Sequence, residues 1–428
     1  MKQKSLILLL LILTINTIIV HANVEQPVLE SEAALLVDNN TGKFLYVNNE
    51  TKKIQPGDFV KIMTAIVAIE AVDDIDKHYV ADANTLDGYD YSYGNMGILP
   101  GESLSMNDLL HGMLVYNAGD AAEVIAAELS SSRNDFIKKM NNKAVEIGAL
   151  NTKFTNPTGI PSKKQYSTLE DIHLITKYAM ANPHLKDIVS TSRYEIEPTN
   201  KYKKKRYLDN TNKFVTAVNT GKYFTPKANG IKTSYIDDDN CGLALLYETD
   251  EMSLSIYVAG APYNSTKDIN YAYEDTTKLI EFGSEYYTNV KVIAQDDILE
   301  EIELSNAKGI DRLLIEAKED VFINLPTGYS EEKLKTTVKL KKDIKAPINK
   351  GEILGSLTVT YDGEEYITIS LESPKEVKAN HFKGLFRKLW SILTSPILLV
   401  SLGIILIIFV WAVLIFNRKK VYKIDHKH

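Results

Sequence analysis

Gln55-Pro56-Gly57-Asp58-Phe59-Val60-Lys61-Ile62-Met63-Thr64 joins a turn to the start of an apolar run at helical spacing. Pro56-Gly57-Asp58 is helix-entry chemistry, and Asp58 is a residue type that caps a helix N-terminus while its charge suits the helix dipole, an effect of about 1 kcal/mol. The apolar positions from Lys61 to Val72 then predict a buried helix. Spacing of three residues puts Asp58 and Lys61 on one face of its first turn, where carboxylate and ammonium form an ion pair.

Outward from this helix the periods are mixed. Ala33 to Val37 and Lys43 to Val47, separated by Asp38-Asn39-Asn40-Thr41-Gly42, read as a hairpin. Met106 to Glu128, Ser132 to Ile147 and Thr168 to Ala181 read as helices, and Leu243 to Tyr247 with Leu254 to Ala259 as paired strands. Helices and strands that do not alternate regularly indicate an α+β layer fold rather than a doubly wound sheet. From about Val290 to Leu371 the texture changes to short strands, Val338 to Leu340, Leu357 to Tyr361 and Tyr366 to Ile369, with Asp362-Gly363 as a turn. This is a small all-β domain.

Both ends of the chain carry membrane signals. Lys2 and Lys4 precede an apolar stretch from Ser5 to Val20, and Val20-His21-Ala22 offers a small-residue cleavage site, so residues 1–22 read as a signal peptide or, if uncleaved, an anchor. Residues 389–417 are uncharged and longer than the roughly 20 residues that cross a bilayer. Arg418, Lys419, Lys420 and Lys423 follow and place the tail, residues 418–428, in the cytoplasm. The stretch 374–388 is a linker, its basic part either lying on the outer leaflet or simply solvated. The expected organisation is therefore a first domain at 30–278, a β domain at 288–373 and a single C-terminal span, with the main domains outside the cell membrane at a bacterial surface.

The 428 residues carry 49 basic and 56 acidic side chains, a formal charge of −7, which leaves no electrostatic footprint for nucleic acid. Cys241 stands alone, so neither an intramolecular disulfide nor a thiolate metal site is available. The eight histidines show no helical zinc pair: His111 and His173 are isolated in predicted helices, and His426 and His428 lie in the tail. No metal or cofactor is expected. Tyr202-Lys203-Lys204-Lys205-Arg206 reads as a solvated loop or a contact for anionic wall polymer. Tyr89, Tyr91 and Tyr93 alternate like strand residues, in packing or turn roles or lining a groove.

Three segments in order resemble the motifs of the serine D-alanyl-D-alanine carboxypeptidases, the low-molecular-mass penicillin-binding proteins of peptidase S11 type. Gln55 to Thr64 is similar to the family's Pro-Ala-Ser-x-x-Lys-Ile/Leu-Met-Thr block. Gly112-Met113-Leu114-Val115-Tyr116-Asn117-Ala118-Gly119-Asp120-Ala121-Ala122 is similar to its Ser-x-Asn-Asp-Ala block, and Asn229-Gly230-Ile231-Lys232-Thr233-Ser234-Tyr235 to its Asp-Gly-Ile-Lys-Thr-Gly-Tyr block. Phe154 to Gly159, Tyr166 to Thr168, Asn210 to Asn212 and Ala346 to Glu352 extend the likeness over roughly Ala33 to Leu371. The resemblance implies a penicillin-binding-protein/β-lactamase-like domain followed by the family's C-terminal β domain, and a peptidoglycan or muropeptide ligand.

The departures fall where the family's chemistry lies. Its nucleophilic serine is Asp58 here, whose attack on an amide would give an anhydride, a poor intermediate for this machinery. Lys61 is retained. The relay serine is Asn117 and the orienting asparagine is Gly119, and no shift of register recovers both. Lys232 and Thr233, which the family uses to hold the substrate carboxylate, are kept, but Ser234 replaces a glycine at a strand that passes close to substrate. The expected function is a membrane-anchored homologue that has lost acyl transfer and binds, scaffolds or regulates at the wall, with a protein partner open. The alternatives are an active carboxypeptidase and a non-covalent sensor of muropeptide or β-lactam.

Overall fold

A computed structural model describes residues 26–218, 221–304, 306–380 and 395–422. The expected signal segment, the basic stretch before the apolar run and the last six residues lie outside the described residues. The chain divides into two units, Met1–Asn289 with Asn324–Thr327, and Val290–Ile323 with Gly328–His428.

The first unit is built on β1 (Ala33–Asp38), β2 (Phe44–Asn48), β3 (Lys232–Tyr235), β4 (Cys241–Glu248) and β5 (Ser253–Ala261). They form one antiparallel sheet in the order β2-β1-β5-β4-β3. The expected opening hairpin is β1 with β2, and the expected strand pair is β4 with β5, where Leu243 opposes Val258 and Ala244 opposes Tyr257.

Strand side chains alternate between faces, and here both faces are covered. Leu35, Val37, Ala244, Leu246 and Tyr257 join a core with the helices α1 (Val60–Ala71), α2 (Met106–Leu114), α3 (Gly119–Glu128), α4 (Arg133–Ile147) and α5 (Leu169–Met180). Ala34, Leu36, Leu243, Leu245 and Ile256 face the other way, onto Leu279 and Phe282 of α6 (Tyr271–Tyr286). This explains why Ala33-Ala34-Leu35-Leu36-Val37 is a continuous apolar run rather than an alternating one.

Helix α1 is buried along most of its length, from Val60 to Ala68, Lys61 and Thr64 included. Thr64 satisfies its hydroxyl by donating to the Pro157 carbonyl at 2.7 Å. Ser132 and Thr168 cap α4 and α5 through their side chains, as residues of these types do.

Three expectations fail in instructive ways. The helix expected over Met106–Glu128 is two helices, because Asn117 adopts φ +70°, a left-handed conformation that asparagine tolerates better than most side chains and that a helix does not contain. Asp58 caps nothing: α1 is entered through a single 3₁₀ turn, Gly57–Phe59, with no side-chain cap. Arg206 is no solvated loop residue. It is buried, pairs with both carboxylate oxygens of Glu102 at 2.6 and 2.9 Å, and donates to the Met96 and Gly97 carbonyls.

The second unit contains the antiparallel sheet β6 (Leu334–Leu340), β7 (Ile353–Tyr361) and β8 (Glu364–Glu372). Asp362 and Gly363, at φ 51° and 87°, turn β7 into β8 with the two positive φ values of a tight hairpin. Helix α7, Pro396–Tyr422, covers most of the C-terminal apolar run. Among the described residues no helix is long and apolar enough to cross a membrane, so the single span expected at 389–417 is not seen in the structure.

Candidate active site

The three sequence blocks meet at one place in the first unit. The 3₁₀ turn brings Asp58 to the head of α1, the break between α2 and α3 brings Asn117, and β3, a sheet edge, brings Lys232, Thr233 and Ser234.

Asp58 is the centre of the arrangement. One carboxylate oxygen accepts from Lys61 Nζ. The other accepts from Asn117 Nδ2 at 2.9 Å and from the Tyr235 backbone N–H at 3.1 Å. The side chain is 15% exposed. Burial works to raise its pKa, but the ammonium charges of Lys61 and Lys232, together with the Lys61 and Tyr235 hydrogen bonds, outweigh burial and hold the carboxyl below its ordinary range. Asp58 is therefore a fixed anion at neutral pH.

Lys232 is 1% exposed and donates to the Leu114 carbonyl at 3.0 Å. Burial, reinforced by the charge of Lys61 and opposed by that of Asp58, brings its ammonium down to about 7. Thr233 is tied to Thr211 by a hydroxyl contact of 2.7 Å. Asn117 reaches Asp58 with its amide nitrogen, while its buried Oδ1 has no hydrogen-bond partner among the described residues.

Acyl transfer needs a nucleophile and preorganised donors for the developing oxyanion. Here two backbone N–H groups beside Asp58 are already engaged within the protein. Tyr235 N–H serves the Asp58 carboxylate, and Asp58 N–H donates to Ser234 Oγ at 3.1 Å. A hydroxyl nucleophile is absent at the position paired with Lys61, and an ammonium locked to a carboxylate is a poor base.

Two further replacements are matched in space. A Cβ on Gly57, which adopts φ +50°, would lie 2.3 Å from Ser234 Oγ. Where the family pattern has alanine and then glycine at these two positions, this chain has glycine and then serine, and the serine hydroxyl fills the room the methyl would take. A Cβ on Gly119 would lie 2.3 Å from Tyr89 Oη, so the orienting amide has given way to a phenol that donates to the Gly94 carbonyl at 2.7 Å. Tyr89 lies in an irregular, turn-containing segment, consistent with the packing or turn role read for it and its neighbours Tyr91 and Tyr93.

The structure thus brings together most of the site residues the sequence nominated. Asp58, Lys61 and Asn117 bond directly, Lys232 joins them electrostatically, Ser234 and Gly119 act through the space they fill, and Thr233 is held to one side. Tyr89, the Tyr235 backbone and the Leu114 carbonyl were missed. Backbone groups leave no mark in a sequence, and Tyr89 was legible only as one of three tyrosines. Asp120, kept from the second block, is structural: it is buried and accepts from the Met96 and Ile98 N–H groups.

Comparison with known proteins agrees with this geometry. Residues 20–262 match the family model for D-alanyl-D-alanine carboxypeptidase of peptidase S11, and residues 287–379 match that of the penicillin-binding protein 5 C-terminal domain. The chain belongs to the peptidase S11 D-alanyl-D-alanine carboxypeptidase family. It is 29% identical over 360 residues to the D-alanyl-D-alanine carboxypeptidase DacF of Bacillus subtilis, covering 83% of this chain and 87% of that one. It is 24% identical over 380 residues to DacC of Escherichia coli, covering 86% and 88%. Penicillin binding protein 5 from Haemophilus influenzae shares the fold with a TM-score of 0.68 at 22% identity, over 82% of this chain and 99% of that one. PBP3 from Streptococcus pneumoniae does so with a TM-score of 0.70 at 19% identity, over 82% and 100%.

The matched replacement at Gly57 and Ser234 predicts coupling. Gly57→Ala combines left-handed strain with overpacking and lowers stability by about 2–4 kcal/mol. In a Ser234→Gly background the same change costs at least about 1 kcal/mol less, because the oxygen it meets is gone. Urea denaturation of the four members of the cycle reads this directly; strict additivity removes the steric account.

Lys232 predicts a pH signature. Its folded pKa of about 7 lies below the ordinary 10.5, so between these values the unfolded chain binds more protons and stability rises with pH. Below about 7 both states are protonated and the contribution is flat at its least favourable. The stability of the wild type relative to Lys232→Met should therefore climb from pH 7 to 10, measured by denaturation at each pH, and a constant difference contradicts the depressed pKa.

Proposed function

We propose that this chain is an extracytoplasmic, membrane-anchored member of its family that no longer performs acyl transfer and serves at the peptidoglycan by binding, scaffolding or regulation. One observation carries the reading: the position of the nucleophile holds an anion, Asp58, with both oxygens engaged by Lys61, Asn117 and Tyr235. The relatives DacF and DacC bear the name D-alanyl-D-alanine carboxypeptidase, which supports wall stem peptide as the ligand class. Fold and ligand class survive the loss of reacting atoms, since recognition and chemistry use different groups.

The uncharged run at residues 389–417, longer than the roughly 20 residues that cross a bilayer, supports the anchor. Helix α7 covers most of that run. Val400, Ile404, Ile408 and Trp411 are among its exposed large apolar side chains, and the basic residues from Arg418 onward orient the tail inward.

Treating the full chain with a fluorescent penicillin and measuring intact mass should give no covalent adduct. A stoichiometric mass increase mapped within Gly57 to Lys61 overturns the reading. Asp58→Ser should restore little carboxypeptidase activity, because Asn117 still stands at the relay position, Gly119 offers no amide, and groups that act as a unit fail together. Substantial turnover by this single variant shows instead that the second block retains its function.

The anchor is tested separately. Cells expressing the full chain should retain it in the membrane pellet after a high-salt wash, whereas a chain ending before Pro396 should be released. Retention of the shortened chain places the attachment elsewhere.

A further inference from the structure

Lys61, Asp58 and Asn117 form a reactive set of a kind the family chemistry does not use. Lys61 is 2% exposed and bonds, among the described residues, to Asp58 alone. The other Asp58 oxygen accepts from the Asn117 amide nitrogen at 2.9 Å, across 59 positions of chain. One carboxylate therefore lies between a primary amine and a primary carboxamide, each on its own oxygen.

Asn117 is held for this contact. Its φ of +70° is a left-handed conformation that persists in a side-chain-bearing residue where the surrounding structure enforces it. Its Oδ1 is buried with no partner among the described residues, so burial of that oxygen is uncompensated. The amide is thus gripped by its nitrogen alone, the atom that leaves when an amide is exchanged, and the grip is a group that can protonate it. Amides are poor electrophiles, but fixed proximity is worth effective molarities of about 10⁵ M or more. A carboxyl that carries protons between attacking and leaving nitrogens lowers the barrier further.

We propose that Lys61 and Asn117 join in an autocatalytic isopeptide bond, with Asp58 as the proton carrier and ammonia as the leaving group. Lys61 passes one proton to Asp58 Oδ1, and its nitrogen lone pair attacks Asn117 Cγ while the carbonyl electrons move to Oδ1. Asp58 then gives a proton to Nδ2 and takes one from the attacking nitrogen. The carbonyl re-forms, the Cγ–Nδ2 bond breaks, and ammonia leaves with the Asp58 proton. An ammonium and a carboxamide become a secondary amide and an ammonium ion, Asp58 returns as the anion, and no co-reactant is consumed. The ion pair that makes Lys61 a poor base for turnover is no bar here, because the reaction runs once per molecule and tolerates a slow proton transfer. The inference goes beyond the non-enzymatic reading: it gives the three residues a reaction of their own, whose product fastens α1 to the break between α2 and α3.

The full chain, purified in detergent and incubated at growth temperature, is digested with trypsin and sequenced by mass spectrometry. The expected product is a pair of peptides joined through Lys61 and Asn117, about 17 Da lighter than the two apart because ammonia is lost, with no cleavage after Lys61. Asn117→Ala and Lys61→Met should each show no such loss. Asp58→Asn, checked for a native melting curve, should form the link about a hundredfold more slowly or worse, and Asp58→Glu, which keeps a carboxyl, should recover part of the rate. Cleavage after Lys61 with Asn117 recovered as asparagine or aspartate overturns the proposal. So does a link from Lys61 to another residue, or one formed by Asp58→Asn at the wild-type rate. A penicillin adduct overturns the non-enzymatic reading instead, so the two fail separately.

Discussion

The anion of Asp58 between two lysines is the constraint around which the site is arranged. A carboxylate that is only 15% exposed needs compensating partners, and the fold supplies them from three elements: Lys61 from α1, Asn117 from the break between helices, and Tyr235 N–H from the edge strand. All three donors are thereby engaged within the protein itself. The same contacts tie the helical layer to β3.

This also accounts for which parts of the motifs persist. Helix α1 lies in the core, with Met63 and Thr64 fully buried. Their retention follows from packing and from the Thr64 bond to the Pro157 carbonyl, whatever the chemistry. A search for the first block would find most of its letters, and one of its two altered letters, Asp58, stands at the position of the family's nucleophile.

Much of the fold was legible in the sequence, because hydrophobic period and turn chemistry act locally: the opening hairpin, the α4 and α5 caps at Ser132 and Thr168, and the Asp362-Gly363 turn all follow from residue type. The misreadings share another cause. Asp58 carries a perfectly good capping side chain, yet Lys61 one turn on, with Asn117 and the Tyr235 N–H from distant segments, takes it. Asn117 sits in a helical pattern, yet the loop it forms is fixed by contacts that a local window does not contain. Arg206 belongs to a basic run, yet Glu102, 104 positions away, draws it inside. In the candidate site, residue identities were visible and backbone donors were not, so the filling of the pocket by Ser234 and Tyr89 emerged only in three dimensions.

The close approach of Tyr89 to Gly119 has a consequence for both positions. With Tyr89 Oη 2.3 Å from where a Cβ would begin, any side chain at position 119 requires the phenol to withdraw. Positions 89 and 119, thirty residues apart in the chain, are therefore a single steric unit in which a larger side chain at one demands a smaller or displaced one at the other.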